Sequence, residues 1–381
     1  MNSIHSMRPI QMVDIATQYS RLKTDIDRSI HQVLDRANFI NGDEVQSFQE
    51  ELADYLGVRH VITCANGTDA LQVSLMALGL QPGDEVITSN FTFIATVEVI
   101  ALLGLKPVLV DVCPDTFNMD VDALAKAITP RTRVIIPVHL FGQGAHMNEI
   151  MDIARRHQIY VVEDAAQATG AFYHHNRTIS SRLGTIGDIG CTSFFPSKNL
   201  GCFGDGGACF TNDDNLAAVL RSIVNHGSKI KYVHDRIGVN SRLDTIQAAV
   251  LSVKLKHLDD FNQRRAMAAA IYNSRLAAIP QVQIPFVASD TSHIYHQYTV
   301  RVKDGSRDEL RAVLQASGIP SMVYYPLPIH RQKAFEQWIS PDVHFPVSDM
   351  LSKQVLSLPM HTELESEHLD FITSVIKNFY K

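Results

Sequence analysis

One lysine, Lys198, stands inside residues 191–209, between an apolar segment that ends near Pro196 and a glycine-rich segment that follows. Proline fixes its own φ, and glycine allows backbone that side chains forbid, so this stretch predicts a shaped loop. A lysine amine in partly dry surroundings loses proton affinity and can act as a nucleophile near neutral pH. For this residue alone, a surface lysine in a glycine loop is the alternative.

A carboxylate, Asp164, follows the apolar run 159–162, which is typical of a buried parallel strand. A side chain at the carboxyl end of such a strand points into the crevice where open α/β sheets bind ligands. The pattern therefore indicates an acid at a ligand site. The alternative is an aspartate that caps the next helix.

Small residues and a hydroxyl open the helix that is predicted after the short strand 60–63. A helix N-terminus offers N–H donors to an anion, which makes Gly67 and Thr68 candidate phosphate ligands. An amine, an acid and a phosphate cradle are together what pyridoxal phosphate (PLP) requires of a protein. The three segments therefore predict a PLP site.

Alternating strands and helices must bring these segments together. Two helices, 19–39 and 44–56, come first. The strands predicted after them are 60–63, 85–88, 107–111, 133–139 and 159–163, and the helices between them are 69–80, 92–103, 120–128 and 148–157. Such alternation implies an α/β fold with a mostly parallel sheet covered on both faces. Short strands should flank Lys198 between residues 187 and 212, followed by helices 213–226 and 244–257.

A smaller C-terminal α/β domain is predicted over residues 258–381, after a large PLP-binding domain over 1–257 that includes the N-terminal helices. Helix 260–278 would bridge the two domains. The order strand 298–302, helix 307–317, strand 322–325 and a last helix 365–379 would complete the smaller one.

Composition excludes several classes of protein. The formal net charge is −6, so phosphates must be held by local donors, and nothing favours nucleic-acid binding. The five cysteines and the histidines show no metal-ligand spacing, so we expect no metal. No stretch reaches 18 apolar residues and the N-terminus lacks a signal-peptide pattern, so we expect a cytoplasmic protein without a membrane span.

From about residue 10 to the C-terminus, the sequence resembles the PLP-dependent nucleotide-sugar aminotransferases of the DegT/DnrJ/EryC1/StrS family. The motifs that carry the resemblance are NGTDAL, EDAAQ, TSFFPSKNLG with GDGG, GVNSRLD and YYP. It is most similar to the subgroup that acts on UDP-2-acetamido-2-deoxy-3-oxo-glucuronate. The resemblance implies PLP-dependent transferase fold type I, like aspartate aminotransferase, with a large domain and a smaller C-terminal one.

The resemblance also implies roles around the cofactor. Lys198 would be the catalytic lysine that bonds to PLP; dehydratases of the family have histidine there, so lysine favours transamination. Asp164 would hold the pyridine nitrogen protonated, and Gln167 would lie near the 3′ oxygen or be a surface amide. Ser193 would join Gly67 and Thr68 at the phosphate. Phe93 would stack on the pyridine ring, with a plain core phenylalanine as the alternative.

Four further residues are implied, one at the cofactor phosphate and three at the substrate. Asn240 would come from the neighbouring subunit to reach the phosphate, which implies a homodimer with shared active sites. Arg242 would hold a carboxylate of the sugar or the donor, or be a structural arginine at a helix start. Tyr324 and Tyr325 would contact the sugar; the subgroup is expected to have His-Tyr there, so the exchange at Tyr324 points to a different ring substituent.

The predicted reaction moves an amino group from L-glutamate, through PLP, to a nucleotide-linked keto sugar. The products are 2-oxoglutarate and an amino sugar for bacterial surface polysaccharide. The substrate implied by the resemblance is a UDP-linked 3-keto-(2-acetamido)-glucuronate. The alternatives are a dTDP-3-keto-6-deoxyhexose, a 4-keto sugar, or a PLP-binding protein without catalysis.

Overall fold

The computed structural model describes residues 8–230, 232–340 and 342–381. The helices are α1 (Ile15–Arg36), α2 (Asp43–Leu56), α3 (Gly67–Ala77), α4 (Ala95–Leu102), α5 (Val121–Ala127), α6 (Met147–His157), α7 (Asp214–Ile223), α8 (Thr245–Leu255), α9 (Leu258–Leu276), α10 (Arg307–Ala316), α11 (Pro346–Gln354) and α12 (Ser366–Phe379). The strands are β1 (His60–Cys64), β2 (Glu85–Ser89), β3 (Lys106–Val110), β4 (Thr132–Ile136), β5 (Tyr160–Asp164), β6 (Phe172–His174), β7 (Ser180–Arg182), β8 (Ile189–Ser193), β9 (Gly207–Thr211), β10 (Ser228–Ile230), β11 (Val233–His234), β12 (Val282–Gln283), β13 (Tyr298–Val302) and β14 (Val355–Leu358).

A seven-stranded sheet with the order β1-β9-β8-β5-β4-β2-β3 forms the centre of the molecule. The neighbours from β8 to β3 are parallel, and β9 alone runs antiparallel to both β8 and β1. The chain leaves β8, passes through the Lys198 segment and returns as β9, so that loop lies at the carboxyl end of β8. The mostly parallel sheet confirms the predicted α/β class.

Both faces of this sheet are buried. Side chains alternate along β4, where Val134 and Ile136 join one apolar cluster and Ile135 joins another. On β5, Val162 belongs to the first cluster and Val161 to the second. Continuous apolar strands are expected when helices cover both faces, and this is why the strand predictions for the large sheet succeeded.

The same alternation decides which way the acidic residues after Val162 point. Asp164 shares its face with Val162, where α3 and α4 pack, whereas Glu163 shares the face of Val161. One residue of register therefore separates a cavity carboxylate from a core carboxylate.

A three-stranded sheet, β12-β13-β14, carries a second apolar core with α9, α10 and α12. The predicted strand 322–325 is wrong. Only Met322 makes a bridge, to Ser357, and the chain then turns so that Val323, Tyr324 and Tyr325 line a cavity. The position beside β13 is taken by β14, which the sequence did not predict, because strand partners so far apart in the chain are chosen by packing.

Within the three described ranges, no helix combines the length and the apolar character that crossing a bilayer requires.

Candidate active site

A cavity of about 850 Å³ opens where the strands of the large sheet end. Its lining includes nine of the predicted site residues: Gly67, Thr68, Phe93, Asp164, Gln167, Ser193, Lys198, Tyr324 and Tyr325. They come from the ends of several strands and from the turn after Met322. Ligand sites of open α/β sheets lie in this position, and the volume is in the range of small-molecule pockets.

Lys198 is partly buried in this cavity. Its backbone N–H donates to the Phe195 carbonyl at 2.8 Å, which closes the turn that presents the side chain. No described residue hydrogen-bonds to its amine. Burial lowers the pKa of the amine from 10.5 to about 8, and the negative charge of Asp164 partly opposes that shift. The amine is therefore unengaged, and at pH 7 about a tenth of it is neutral and can act as a nucleophile.

Asp164 is held from two sides. The Thr96 hydroxyl on α4 donates to Oδ2 at 2.8 Å, and the Ala166 N–H donates to Oδ1 at 3.2 Å. Only 7% of the residue is exposed, so the carboxylate is fixed in position while it faces the cavity. A fixed, buried carboxylate can keep a proton on a ligand nitrogen.

Glu163, the neighbour of Asp164, anchors the end of β5 from the opposite face. It accepts from His139 Nε2 at 2.9 Å and from the N–H groups of Gly184, Ile186 and Gly187 at 2.6–2.8 Å. His139 Nδ1 accepts a backbone N–H, so Nε2 carries the proton. Burial raises the Glu163 pKa, but these hydrogen bonds outweigh it and lower the pKa overall. His139 thus belongs to the core and not to the cavity.

The N-terminus of α3 forms an anion cradle beside Ser193. Asn66 caps the helix by accepting from the Asp69 N–H at 2.8 Å, and this leaves the N–H groups of Gly67 and Thr68 at the cavity. A Cβ on Gly67 would lie 2.6 Å from Ser193 Cβ. Glycine is therefore required for the close approach of helix and strand that forms the cradle.

The substitution Gly67→Ala should weaken the binding of PLP about tenfold or more, because the methyl group must push α3 away from Ser193. Titration of the cofactor by absorbance measures this effect. Pyridoxal without its phosphate is the control ligand, and its affinity should change little. An equal loss for both ligands would show that the cradle does not hold the phosphate.

Phe93 is the phenylalanine that faces the cavity, with 54% of its surface exposed, whereas Phe91 is fully buried. The Phe93 ring lies 6.2 Å from the ring of Tyr325. Gln167 donates to the Tyr325 hydroxyl at 3.2 Å and accepts from the Phe141 N–H at 2.7 Å. Gln167 is thus no surface amide: it fixes Tyr325 while lining the cavity.

Asn240 and Arg242 do not line this cavity. Asn240 is exposed, and its backbone forms an isolated antiparallel β-bridge with Asn225. Arg242 lines a separate cavity of about 190 Å³ together with Arg221. Across the described ranges, neither arginine has an acidic partner. Asn240, the residue expected to act across a subunit boundary, is therefore on the outside of the chain, and Arg242 is half-buried away from the cavity.

Sequence reasoning missed three residues of the site: Thr96, His296 and Gln297. Thr96 lies on α4, and its hydroxyl donates to Asp164. The sequence pointed to it only through its position, one helical turn after Phe93. His296 and Gln297 precede β13 and line the cavity although they are about 100 residues from Lys198. No local pattern connects them to the lysine, because long-range packing places them there.

The rate at which the cofactor-free protein captures PLP should rise about tenfold from pH 7 to pH 9 and then level off. A pKa of about 8 makes about a tenth of the Lys198 amine neutral at pH 7 and most of it neutral at pH 9. Stopped-flow absorbance gives the rates, with Nα-acetyl-lysine as the control amine. Asp164 raises the lysine pKa, so Asp164→Asn should move the profile to lower pH. A rate that still climbs tenfold per pH unit above pH 9 would contradict the lowered pKa.

The fold and the cavity together define an α/β enzyme that presents a lysine amine, a fixed carboxylate and an anion cradle in one crevice. Residues 20–377 match the DegT/DnrJ/EryC1/StrS aminotransferase family, and the chain belongs to that family. The predicted PLP fold type I architecture is confirmed.

Several named relatives are sugar aminotransferases. A UDP-2-acetamido-2-deoxy-3-oxo-D-glucuronate aminotransferase of Pseudomonas aeruginosa is 46% identical over 97% of this chain and 100% of its own length. A dTDP-3-amino-3,4,6-trideoxy-alpha-D-glucose transaminase of Streptomyces venezuelae is 42% identical over 93% of this chain and 92% of its own. NtdA of Bacillus subtilis, solved with bound cofactor PMP, is 31% identical, has a TM-score of 0.90, and aligns over 99% of this chain and 86% of its own.

The cavity fits the cofactor of this PLP-dependent family. The cradle beside Ser193 admits no side chain at position 67, the Lys198 amine has a lowered pKa, and Asp164 is buried and fixed. These are donors and acceptors for a phosphate, an aldehyde and a pyridine nitrogen.

Proposed function

We propose that this protein is a PLP-dependent aminotransferase that moves an amino group from L-glutamate to a UDP-linked 3-keto-(2-acetamido)-glucuronate, for bacterial surface polysaccharide. The observation that carries the proposal is one cavity in which the Lys198 amine and the Asp164 carboxylate lie beside the α3 cradle. The 46% identical relative supports the choice of sugar.

Lys198, Asp164 and the cradle would each hold a different part of PLP. Lys198 would hold the aldehyde carbon of PLP, Asp164 its ring nitrogen, and Gly67, Thr68 and Ser193 its phosphate. Bound PLP supplies a carbonyl for the incoming amine and a ring that withdraws electrons. When it is not bonded to the cofactor, Nζ of Lys198 would carry a proton between the carbon that bears the amino group and the cofactor. An amine with a pKa of about 8 is suited to this transfer.

Asp164 stays in place through this cycle because Thr96 and Ala166 hold both of its oxygens. Phe93 would cover one face of the pyridine ring, and Gln167 would lie near the 3′ oxygen while it fixes Tyr325. The cavity must accept a small dicarboxylate and a large nucleotide sugar in turn, and a crevice of about 850 Å³ is suited to both.

The remaining roles are also proposals. Asn240 would come from a second copy in a cytoplasmic homodimer to reach the phosphate, and its position outside the cavity of its own chain supports this. Arg242 would hold a substrate carboxylate. Tyr324 and Tyr325 would contact the sugar. The chain would divide into a large domain over 1–257 and a smaller one over 258–381, and the separate core around β13 supports that division.

A second candidate substrate is a dTDP-linked 3-keto-6-deoxy sugar, or less directly a 4-keto sugar. The Streptomyces relative favours it, as does a tyrosine at position 324 where the glucuronate subgroup is expected to have histidine. A PLP-binding protein without catalysis is disfavoured, because the amine, the carboxylate and the cradle all face one cavity.

Half-reactions test the proposal. The protein is first charged with PLP and glutamate, and keto sugars are then added while the absorbance of lysine-bound PLP is followed. The UDP-linked 3-keto-glucuronate should restore it, and a UDP-linked 3-keto sugar without the C6 carboxylate is the matched control. Recovery only with dTDP sugars would establish the second candidate, and no recovery with any keto sugar would overturn the proposed function.

A further inference from the structure

His296 lies on the wall of the cavity, and its side chain has no part in the roles proposed for Lys198, Asp164 and the cradle. It is 8% exposed and lines the cavity together with Lys198. The buried guanidinium of Arg265 fixes its backbone by donating to the carbonyls of Tyr295, His296 and Met360 at 3.0–3.2 Å. The imidazole is thus placed on a rigid segment and cannot move far from the cavity.

A chain of hydrogen bonds sets the tautomer of this imidazole. The Thr169 carbonyl can only accept, so Asn262 turns its Nδ2 towards it and its Oδ1 towards Asn199. Asn199 therefore donates through Nδ2, to Asn262 at 2.7 Å and to the Ile294 carbonyl at 3.3 Å. Its Oδ1 then faces Nδ1 of His296 at 3.3 Å. Nδ1 must carry the proton, and Nε2 is left with a lone pair.

No donor in the described part of the chain reaches that lone pair. Burial, together with the positive charges of Lys198 and Arg265, lowers the pKa of His296 well below its usual value, so the ring stays neutral. Gln297, the next residue on the wall, has a buried Oε1 that is likewise without a partner. This part of the wall thus has hydrogen-bond acceptors that are not satisfied by the protein.

The two substrates of the proposed reaction differ in what they can offer to such an acceptor. Glutamate brings two carboxylates, which a lone pair repels, and an amine that is consumed in the reaction. A nucleotide sugar brings ring hydroxyls and, in the 2-acetamido sugars, an amide N–H. An unpaired acceptor discriminates strongly for a ligand that supplies the missing donor.

We propose that His296 is a specificity-determining residue whose Nε2 accepts a hydrogen bond from a hydroxyl or amide N–H group of the bound sugar. The inference rests on the proposed function, and it adds a residue to the sugar subsite that sequence motifs do not mark. Because the acceptor cannot serve glutamate, His296 acts in one half-reaction and not in the other.

Two substitutions separate this role from a structural one. His296→Asn can still donate to Asn199 in place of Nδ1, but it offers nothing at the position of Nε2. His296→Gln is the matched variant, because its longer amide can present an oxygen near that position. We expect His296→Asn to bind the UDP-linked 2-acetamido-glucuronate about tenfold more weakly by calorimetry, and His296→Gln to remain within about threefold of the unaltered protein.

UDP alone is the control ligand, and its affinity should be the same for all three proteins. In the half-reactions, His296→Asn should slow the sugar step about tenfold or more and leave the glutamate step within about twofold. Equal losses in both variants, or equal losses for glutamate and sugar, would overturn the inference in favour of a structural role.

The ligand can also be changed while the protein stays unaltered, so that the test survives if a variant fails to fold. UDP sugars that each lack one hydroxyl or the acetamido N–H should include one that binds the unaltered protein about tenfold more weakly. If no analogue loses affinity, the inference is overturned. A protein that completes the glutamate step but prefers a dTDP sugar would change the proposed substrate alone, and the His296 series would be repeated with that sugar.

Discussion

The substitution Lys198→Ala should abolish turnover, with kcat falling at least about 10³-fold, and leave the fold intact. Loss of a positioned proton-transfer group alone costs 10²–10⁴-fold, and here the covalent attachment of the cofactor is lost as well. No described residue hydrogen-bonds to the amine, so its removal leaves no partner unsatisfied. The free energy of unfolding should therefore change by less than about 1 kcal/mol.

Steady-state assays with glutamate and the keto sugar measure this loss, and thermal unfolding checks the fold. A matched control is Lys303→Ala, since Lys303 is an exposed lysine outside the cavity. It should keep full activity and the absorbance of lysine-bound PLP, both of which Lys198→Ala lacks. Near-normal turnover in the Lys198 variant would remove the aminotransferase assignment of this cavity.

The substitution Asp164→Asn should reduce kcat about 10²–10³-fold while the protein still binds PLP. The amide is nearly the same size, so it can keep contacts with Thr96 and Ala166, but it carries no charge to hold a proton on the ring nitrogen. Without that proton the ring withdraws electrons poorly. Half-reaction rates with glutamate separate this effect from any change in cofactor affinity.

Thr96→Val is the control that keeps the charge. It removes the 2.8 Å hydrogen bond to Asp164 but leaves the carboxylate in the cavity, so its effect should be about 1–2 kcal/mol, or roughly tenfold in rate. If Asp164→Asn were as mild as Thr96→Val, the orientation of the side chain and not its charge would be what matters at this position.

Sequence alone was sufficient where the signal is local. The apolar strands followed by Asp164 or preceding Gly67 were read correctly, because a strand buried on both faces and a helix N-terminus each leave a short pattern in the chain. The glycines around Lys198 likewise predicted the loop between β8 and β9. The family resemblance supplied the further candidate residues Phe93, Gln167 and Ser193, and the match to the family model confirmed the family itself.

Only the tertiary structure could decide which distant side chains meet. It chose β14 over residues 322–325 as the neighbour of β13, placed Phe93 in the cavity and Phe91 in the core, and set Asn240 and Arg242 outside it. Thr96 and His296 joined the site for the same reason. Their positions depend on packing and hydrogen bonds between segments far apart in the chain, and such contacts leave no periodic pattern in the sequence.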